Sequence, residues 1–218
     1  SKIFKRKPFV FSDKLNHQCI YEGCKNKNIN FIRFKHNDLN NLEYLLKKNN
    51  LKNNPKFILS ESVFSMDGDF ADIEGLVFLK KKYNTFLFLD EAHATGIYGD
   101  NGFGLSLKFS KDIDCVTGTF SKAFGCFGAY VICSKILKSY LINNCSSFIY
   151  STSMPFSLLA SIYSSIKLMP KLKNERKKLI KNSYLLREIL KKEGFNIGTS
   201  QSNIIPVIIG NTKKTILM

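Results

Sequence analysis

The sequence contains no tryptophan, only five prolines and three histidines, and about half as many acidic as basic side chains. Each shortage excludes something. With so few prolines and no low-complexity tract, the chain is neither a Pro-rich linker nor a fibrous protein. No run approaches the roughly 18 uninterrupted apolar residues that a membrane-spanning helix needs. The basic start, Ser1-Lys2-Ile3-Phe4-Lys5-Arg6-Lys7-Pro8, is not followed by the apolar segment of a secretory signal. Six cysteines, at positions 19, 24, 115, 126, 133 and 145, form no C-x-x-C pair and have no histidine at ligand spacing. A zinc site is therefore not expected, and a reducing, cytoplasmic setting is. Cys115, Cys126 and Cys133 lie in apolar runs and read as small buried hydrophobes.

The scarcity of acid leaves a net charge of +16. Clustered lysine and arginine attract phosphate, so a nucleic-acid face has to be weighed. Lys, Asn, Ile and Phe are all abundant, as A+T-rich codons would make them. The lysines also fall on solvent-facing helix positions, such as Lys171, Lys173, Lys177, Lys178 and Lys181, without interleaved aromatics. Codon usage accounts for the charge, and no nucleic-acid partner is expected.

What is present is a regular alternation. Pro8–Phe11, Asn30–Phe34, Phe57–Ser60, Phe86–Leu89, Cys115–Thr117 and Ala129–Cys133 read as strands. Helices are expected over Asn16–Cys24, capped by Asn16, and after Asn37-Asp38, where Leu39, Leu42, Leu45 and Leu46 recur at helical spacing. Others are expected over Asp72–Tyr83, Ser134–Leu141, Pro155–Met169 and Lys171–Lys192, the last stopped by Gly194. Asn203–Ile209 reads as a further strand with different surroundings. Strands alternating with helices imply an α/β fold with a mostly parallel central sheet. The chain starts on Ser1 and stops at Leu217-Met218 as a new helical pattern begins, so a piece of a longer protein is expected.

Four segments carry chemistry. Asp90 follows the apolar run Phe86–Leu89, at the strand end where open α/β sheets place ligands, and His93 lies three residues on. Lys122 sits among small, hydroxyl and apolar residues in Thr117–Gly125; partial burial there would free its amine for carbonyl chemistry. Ser60–Asp69 follows another strand. Tyr150-Ser151-Thr152-Ser153-Met154-Pro155 is a hydroxyl-rich turn opening a helix, a natural place for a phosphate. His36, beginning His36-Asn37-Asp38, reads as structural.

Taken in order, V-F-S-M-D-G-D, D-E-A-H-A-T-G, G-T-F-S-K-A-F-G and Y-S-T-S-M-P resemble the motifs of the α-oxoamine synthases, a family of fold-type I pyridoxal-phosphate enzymes. The resemblance runs from Leu15-Asn16-His17 to Ile204-Ile205-Pro206-Val207. It implies a cofactor-binding large domain over residues 1–170, then a linking helix and the start of a smaller C-terminal domain over 171–218. It also implies roles. Lys122 matches the lysine that binds pyridoxal phosphate covalently and later moves protons. Asp90 matches the carboxylate paired with the pyridine nitrogen, which lets the ring act as an electron sink. His93 and Ser65 match residues at the phenolic oxygen, His17 the histidine stacked on the ring, and Thr119 a phosphate ligand. Ser151 and Thr152 match hydroxyls that reach the phosphate of a neighbouring subunit, so a homodimer with shared active sites is implied.

Gln18-Cys19 stand where members often have Ala-Ser after the stacking histidine. The family's Gly-rich and aromatic phosphate region and its substrate-carboxylate arginine have no counterpart in these residues. Members condense a small amino acid with an acyl thioester, most with loss of carbon dioxide. Ala92, where 5-aminolevulinate synthases usually carry Val, and Y-S-T-S-M-P lean toward L-alanine and a pimeloyl thioester, a step of biotin synthesis. Relatives that serve as non-catalytic partner subunits have lost the Schiff-base lysine, which is present here.

Overall fold

The computed structural model describes residues 6–25, 28–49 and 54–217. Six strands, β1 (Phe9–Asp13), β2 (Asn30–Phe34), β3 (Lys56–Glu61), β4 (Phe86–Asp90), β5 (Cys115–Thr119) and β6 (Ala129–Cys133), form one sheet in the order β2-β1-β3-β4-β5-β6. Every neighbouring pair is parallel except β5 with β6. The helices are α1 (Gln18–Cys24), α2 (Leu39–Lys48), α3 (Ile73–Tyr83), α4 (Lys135–Asn144), α5 (Ser146–Ile149), α6 (Phe156–Leu168), α7 (Lys173–Lys192) and α8 (Thr212–Leu217).

Strand alternation divides the core into two faces. Phe9, Phe11, Ile58, Leu87 and Leu89 point to one side and pack on Leu42 and Leu46 of α2 and on Ile73, Leu76, Val77 and Leu79 of α3. Val10 and Leu59 point to the other, against Ile20 of α1, with Phe57 and Phe88 partly buried beside them. Each fully buried Leu, Ile or Phe stabilises the fold by roughly 1.5–3 kcal/mol, so the first face dominates the energetics. Asp38 and Asp72 cap α2 and α3 by accepting from the amides of Asn41 and Gly75. Asn84, left-handed at φ 48°, turns the chain out of α3 into β4.

Four details depart from the sequence reading. His17, not Asn16, caps α1, its Nδ1 accepting from the Cys19 amide. Asn16 is occupied elsewhere, its side-chain amide donating to Ser12 Oγ and the Leu59 carbonyl at 2.8 Å each. Residues 203–209 run without regular structure and make no ladder with a described strand; Pro206 has no amide to give, and Ile208 N donates instead to the Asn196 carbonyl. Among the three cysteines expected inside, Cys115 is buried, but Cys133 is half-buried and Cys126 is a half-buried loop residue facing Ser165 Oγ. The 169–171 stretch forms a tight 3-10 turn, so α7 starts at Lys173.

Candidate active site

The site grows out of the strand register. Glu61, the last residue of β3, lies beside Asp90, the last of β4, and Asp90 lies beside Thr117 of β5. Counting in twos, Leu59 and Glu61, Phe88 and Asp90, and Thr117 and Thr119 share the face covered by α1. A cavity of about 560 Å³ opens there, at the carboxyl ends of the parallel strands. His17, Asp90, His93, Thr119 and Lys122 all line it.

The same alternation sends the adjacent acid the other way. Glu91 is buried on the opposite face, where it accepts from the amides of Leu105 and Ser106 at 2.7 and 2.8 Å and from Ser106 Oγ at 2.6 Å. It anchors a loop. Asp90 keeps one short tie, from the Ala92 amide at 2.9 Å. Burial pushes its carboxyl up, opposed by that amide, by the Lys122 charge and by the Thr117 hydroxyl.

His93 leaves the strand in the turn of Glu91–Tyr98, where the amides of Ala94 and Thr95 bond back to the Glu91 carbonyl. Burial, with the positive charge of Lys122 nearby, lowers its imidazole to about 4. His93 is therefore a neutral ring at physiological pH. Lys122 is exposed at the mouth of the cavity, not partly buried as its neighbours in sequence suggest. Thr119 holds the loop below it. Its hydroxyl donates to the Gly128 carbonyl at 2.9 Å and accepts from the Ser121 amide at 3.1 Å. Gly118 permits this approach, since a Cβ there would meet the Tyr130 hydroxyl at 2.3 Å.

Three expected residues lie elsewhere. Ser65 is half-buried in the turn after β3 and does not line the cavity, although its amide reaches the Glu61 carboxylate. Ser151 and Thr152 are exposed, and Ser151 Oγ donates to the Phe148 carbonyl at 3.1 Å. Two lining residues were not singled out from sequence. Cys19 places its sulfur 3.0 Å from His17 Nδ1. Glu61, buried at 3% exposure, accepts from the His17 amide. Burial, aided by the neighbouring Asp90 carboxylate, pushes Glu61 up to about 7. Its position ending β3, as Asp90 ends β4, was the available signal.

A family model described as aminotransferase class I and II matches residues 3–217. The chain belongs to that family. Among aminotransferase class I and II relatives, an 8-amino-7-oxononanoate synthase of Gluconacetobacter diazotrophicus is 43% identical over 209 residues, covering 96% of this chain and 52% of that protein. The chain thus spans about half the length of the curated relatives it matches. A serine palmitoyltransferase from S. paucimobilis, solved with a bound PLP–myriocin aldimine, superposes with a TM-score of 0.90 at 31% identity, over 98% of this chain and 56% of that one. An 8-amino-7-oxononanoate synthase from Francisella tularensis superposes at 0.84 and 26% identity, over all of this chain and 63% of its own.

Proposed function

We propose that this chain is the cofactor-binding core of a pyridoxal-phosphate-dependent α-oxoamine synthase. The observation that carries the reading is the meeting of the Lys122 amine, the Asp90 and Glu61 carboxyls, two imidazoles and the Thr117 and Thr119 hydroxyls around a single cavity. That donor set fits the cofactor. Lys122 would hold it through its amine, Asp90 at the ring nitrogen, His17 against the ring face and Thr119 at the phosphate. His93 and Ser65 would serve its phenolic oxygen, and Ser151 with Thr152 the phosphate of a second subunit's site in a homodimer. Residues 1–170 would then be the large domain, with 171–218 leading into a smaller one, in a cytoplasmic enzyme. When bound, the cofactor supplies an electron sink for negative charge on an amino acid's α-carbon.

The chain's own residues would do the rest. Burial raises the Asp90 carboxyl and the Lys122 charge opposes that rise; as a carboxylate, Asp90 would pair with a ring nitrogen and keep it protonated. The neutral His93 can donate one hydrogen bond without adding charge. Lys122, exposed at the mouth, can reach a substrate and carry a proton to or from it.

For the reaction we favour decarboxylative condensation of L-alanine with a pimeloyl thioester, giving 8-amino-7-oxononanoate, supported by Ala92 and by the relatives' names. Serine palmitoyltransferase is the second reading, because such a structure superposes more closely; 5-aminolevulinate synthase and 2-amino-3-ketobutyrate ligase are further members. Borohydride reduction of the full-length protein with pyridoxal phosphate, followed by peptide mapping, should place a pyridoxyl label on Lys122. A label on a different lysine overturns the assignment. Asp90→Asn should retain some cofactor and lose most turnover. Product analysis with alanine, glycine and serine against a panel of acyl thioesters decides among the members.

A further inference from the structure

His36 lies outside the cavity and has no part in the proposed chemistry, yet its surroundings are unusual. It follows β2, and both of its ring nitrogens face carboxylates. Nδ1 is 2.9 Å from Asp13 Oδ1 and Nε2 is 2.8 Å from Asp69 Oδ2. Both aspartates are buried. An ionised carboxylate only accepts, so a ring that satisfies both must donate from both nitrogens, and only the imidazolium does so. The Phe64 ring closes the third side, near perpendicular to the imidazole with centroids 4.4 Å apart. Asp69 Oδ1 is buried without a hydrogen-bond partner, so that carboxylate depends on His36 and on Asn37, whose side chain donates to Oδ2 at 2.9 Å. Asn37 itself adopts a left-handed φ of 51°, and its amide donates to Asp13 Oδ2.

Asp13 belongs to the turn that leads to His17, which lines the cavity, and Asp69 to the turn of Ser65, whose amide reaches the cavity-lining Glu61. Asp13 ends β1 and accepts from Leu15 N at 2.8 Å, shaping the turn that delivers His17. Asp69 closes the turn that holds Ser65, its carbonyl accepting from Phe64 N at 3.0 Å. We infer that His36 is a positioning residue: as an imidazolium between Asp13 and Asp69 it clamps the His17 turn to the Ser65 turn and sets their spacing at the site. The importance of that spacing to cofactor rests on the function proposed above; the clamp itself does not.

Burial works against a charged His36, but the hydrogen bonds and charges of Asp13 and Asp69 outweigh it, and its affinity for the proton is raised above the ordinary histidine value. These two aspartates are the charged groups that act on the ring. A raised folded value means the clamp is fully formed below about pH 6.5, the unfolded value, and is lost as pH climbs through the folded one.

The test follows histidine ring nitrogens by NMR in the full-length protein, with and without pyridoxal phosphate. At pH 7 both nitrogens of His36 should carry protons, and the His17 ring signals should shift at the pH where His36 titrates. A His36 ring with a single proton at pH 7, or His17 signals indifferent to that titration, overturns the clamp. Asp69→Asn removes one opposing charge at contact distance and should lower the His36 midpoint by about one pH unit or more. The alkaline limb of pyridoxal-phosphate affinity should move down with it. A limb that stays in place while the ring midpoint moves would refute the positioning role. Failure of every form to bind pyridoxal phosphate would instead count against the proposed function, with the ring titration still judging the clamp.

Discussion

The two ends of the sheet differ sharply in how they use apolar residues. On the β1–β4 side, Phe11, Leu42, Leu46, Ile58, Leu87 and Leu89 are all fully buried between strands and helices. On the other side, β6 and α4 contribute no buried residue, and α6 only Ile162. Phe127, Ile136, Tyr150 and Phe156 stand 69–90% exposed there. Yet the apolar pattern of α6 is as strong in sequence as that of α3. Hydrophobic periodicity fixes which face of an element wants cover; whether cover arrives depends on neighbours.

The contrast can be pressed by substitution in the full-length protein, with stability read from urea unfolding. Phe11→Ala, at a site of 0% exposure, should cost about 3–5 kcal/mol through lost burial and the cavity left behind. Glu61→Gln at the cavity should change a slope more than a midpoint. Its carboxyl sits near 7 when folded against about 4.5 unfolded, so protonation favours the fold, and that contribution, on the order of 3 kcal/mol, is lost as pH rises from 4.5 through 7. The Gln variant should show a flatter pH dependence of stability across that window; an unchanged slope would mean Glu61 is not the titrating group. Next come the helix caps. Asp38→Ala, under the tight half, should cost about 1 kcal/mol, and Ser134→Ala, which caps α4 through the Leu137 amide at 3.2 Å, should cost less than Asp38→Ala because α4 buries nothing. Phe156→Ala, at 90% exposure, should change stability by no more than about 0.5 kcal/mol. A loss approaching that of Phe11→Ala would erase the contrast and show that this face is covered in the assembled protein.

Much of the fold was legible because parallel strands buried on both faces write continuous apolar runs, as Phe86-Leu87-Phe88-Leu89 does. The antiparallel pairing of β5 with β6 was not, since a five-residue run looks alike in either direction. Residues 203–209 show the converse error. A run of β-branched residues supplies the propensity for a strand but not a partner to bond. In the site, Asp90 announced itself by following a strand end, His93 by lying three residues on, and Lys122 and Thr119 by their small, hydroxyl-rich surroundings. Glu61 lies in Ser60–Asp69, a segment singled out for chemistry, but within it Ser65 was given the role and Glu61 none. The bond from the His17 amide to Glu61 joins residues 44 apart, and no local pattern encodes it.

Asp90 and Glu91 are chemically near twins with incompatible duties, one facing the cavity and one anchoring the loop at Leu105 and Ser106. What separates them is a single step of strand pleat. Losing or gaining one residue within Phe86–Asp90 would swap the pair, presenting the longer acid to the cavity and starving the loop of its acceptor. Length changes in the connections do not invert a face in this way, though those that carry His17, His93 and Lys122 still set where these side chains meet. An odd change of length within β3 or β5 would likewise turn Glu61, or Thr117 and Thr119, away from the cavity, so across three neighbouring strands selection has to guard parity as well as side-chain identity.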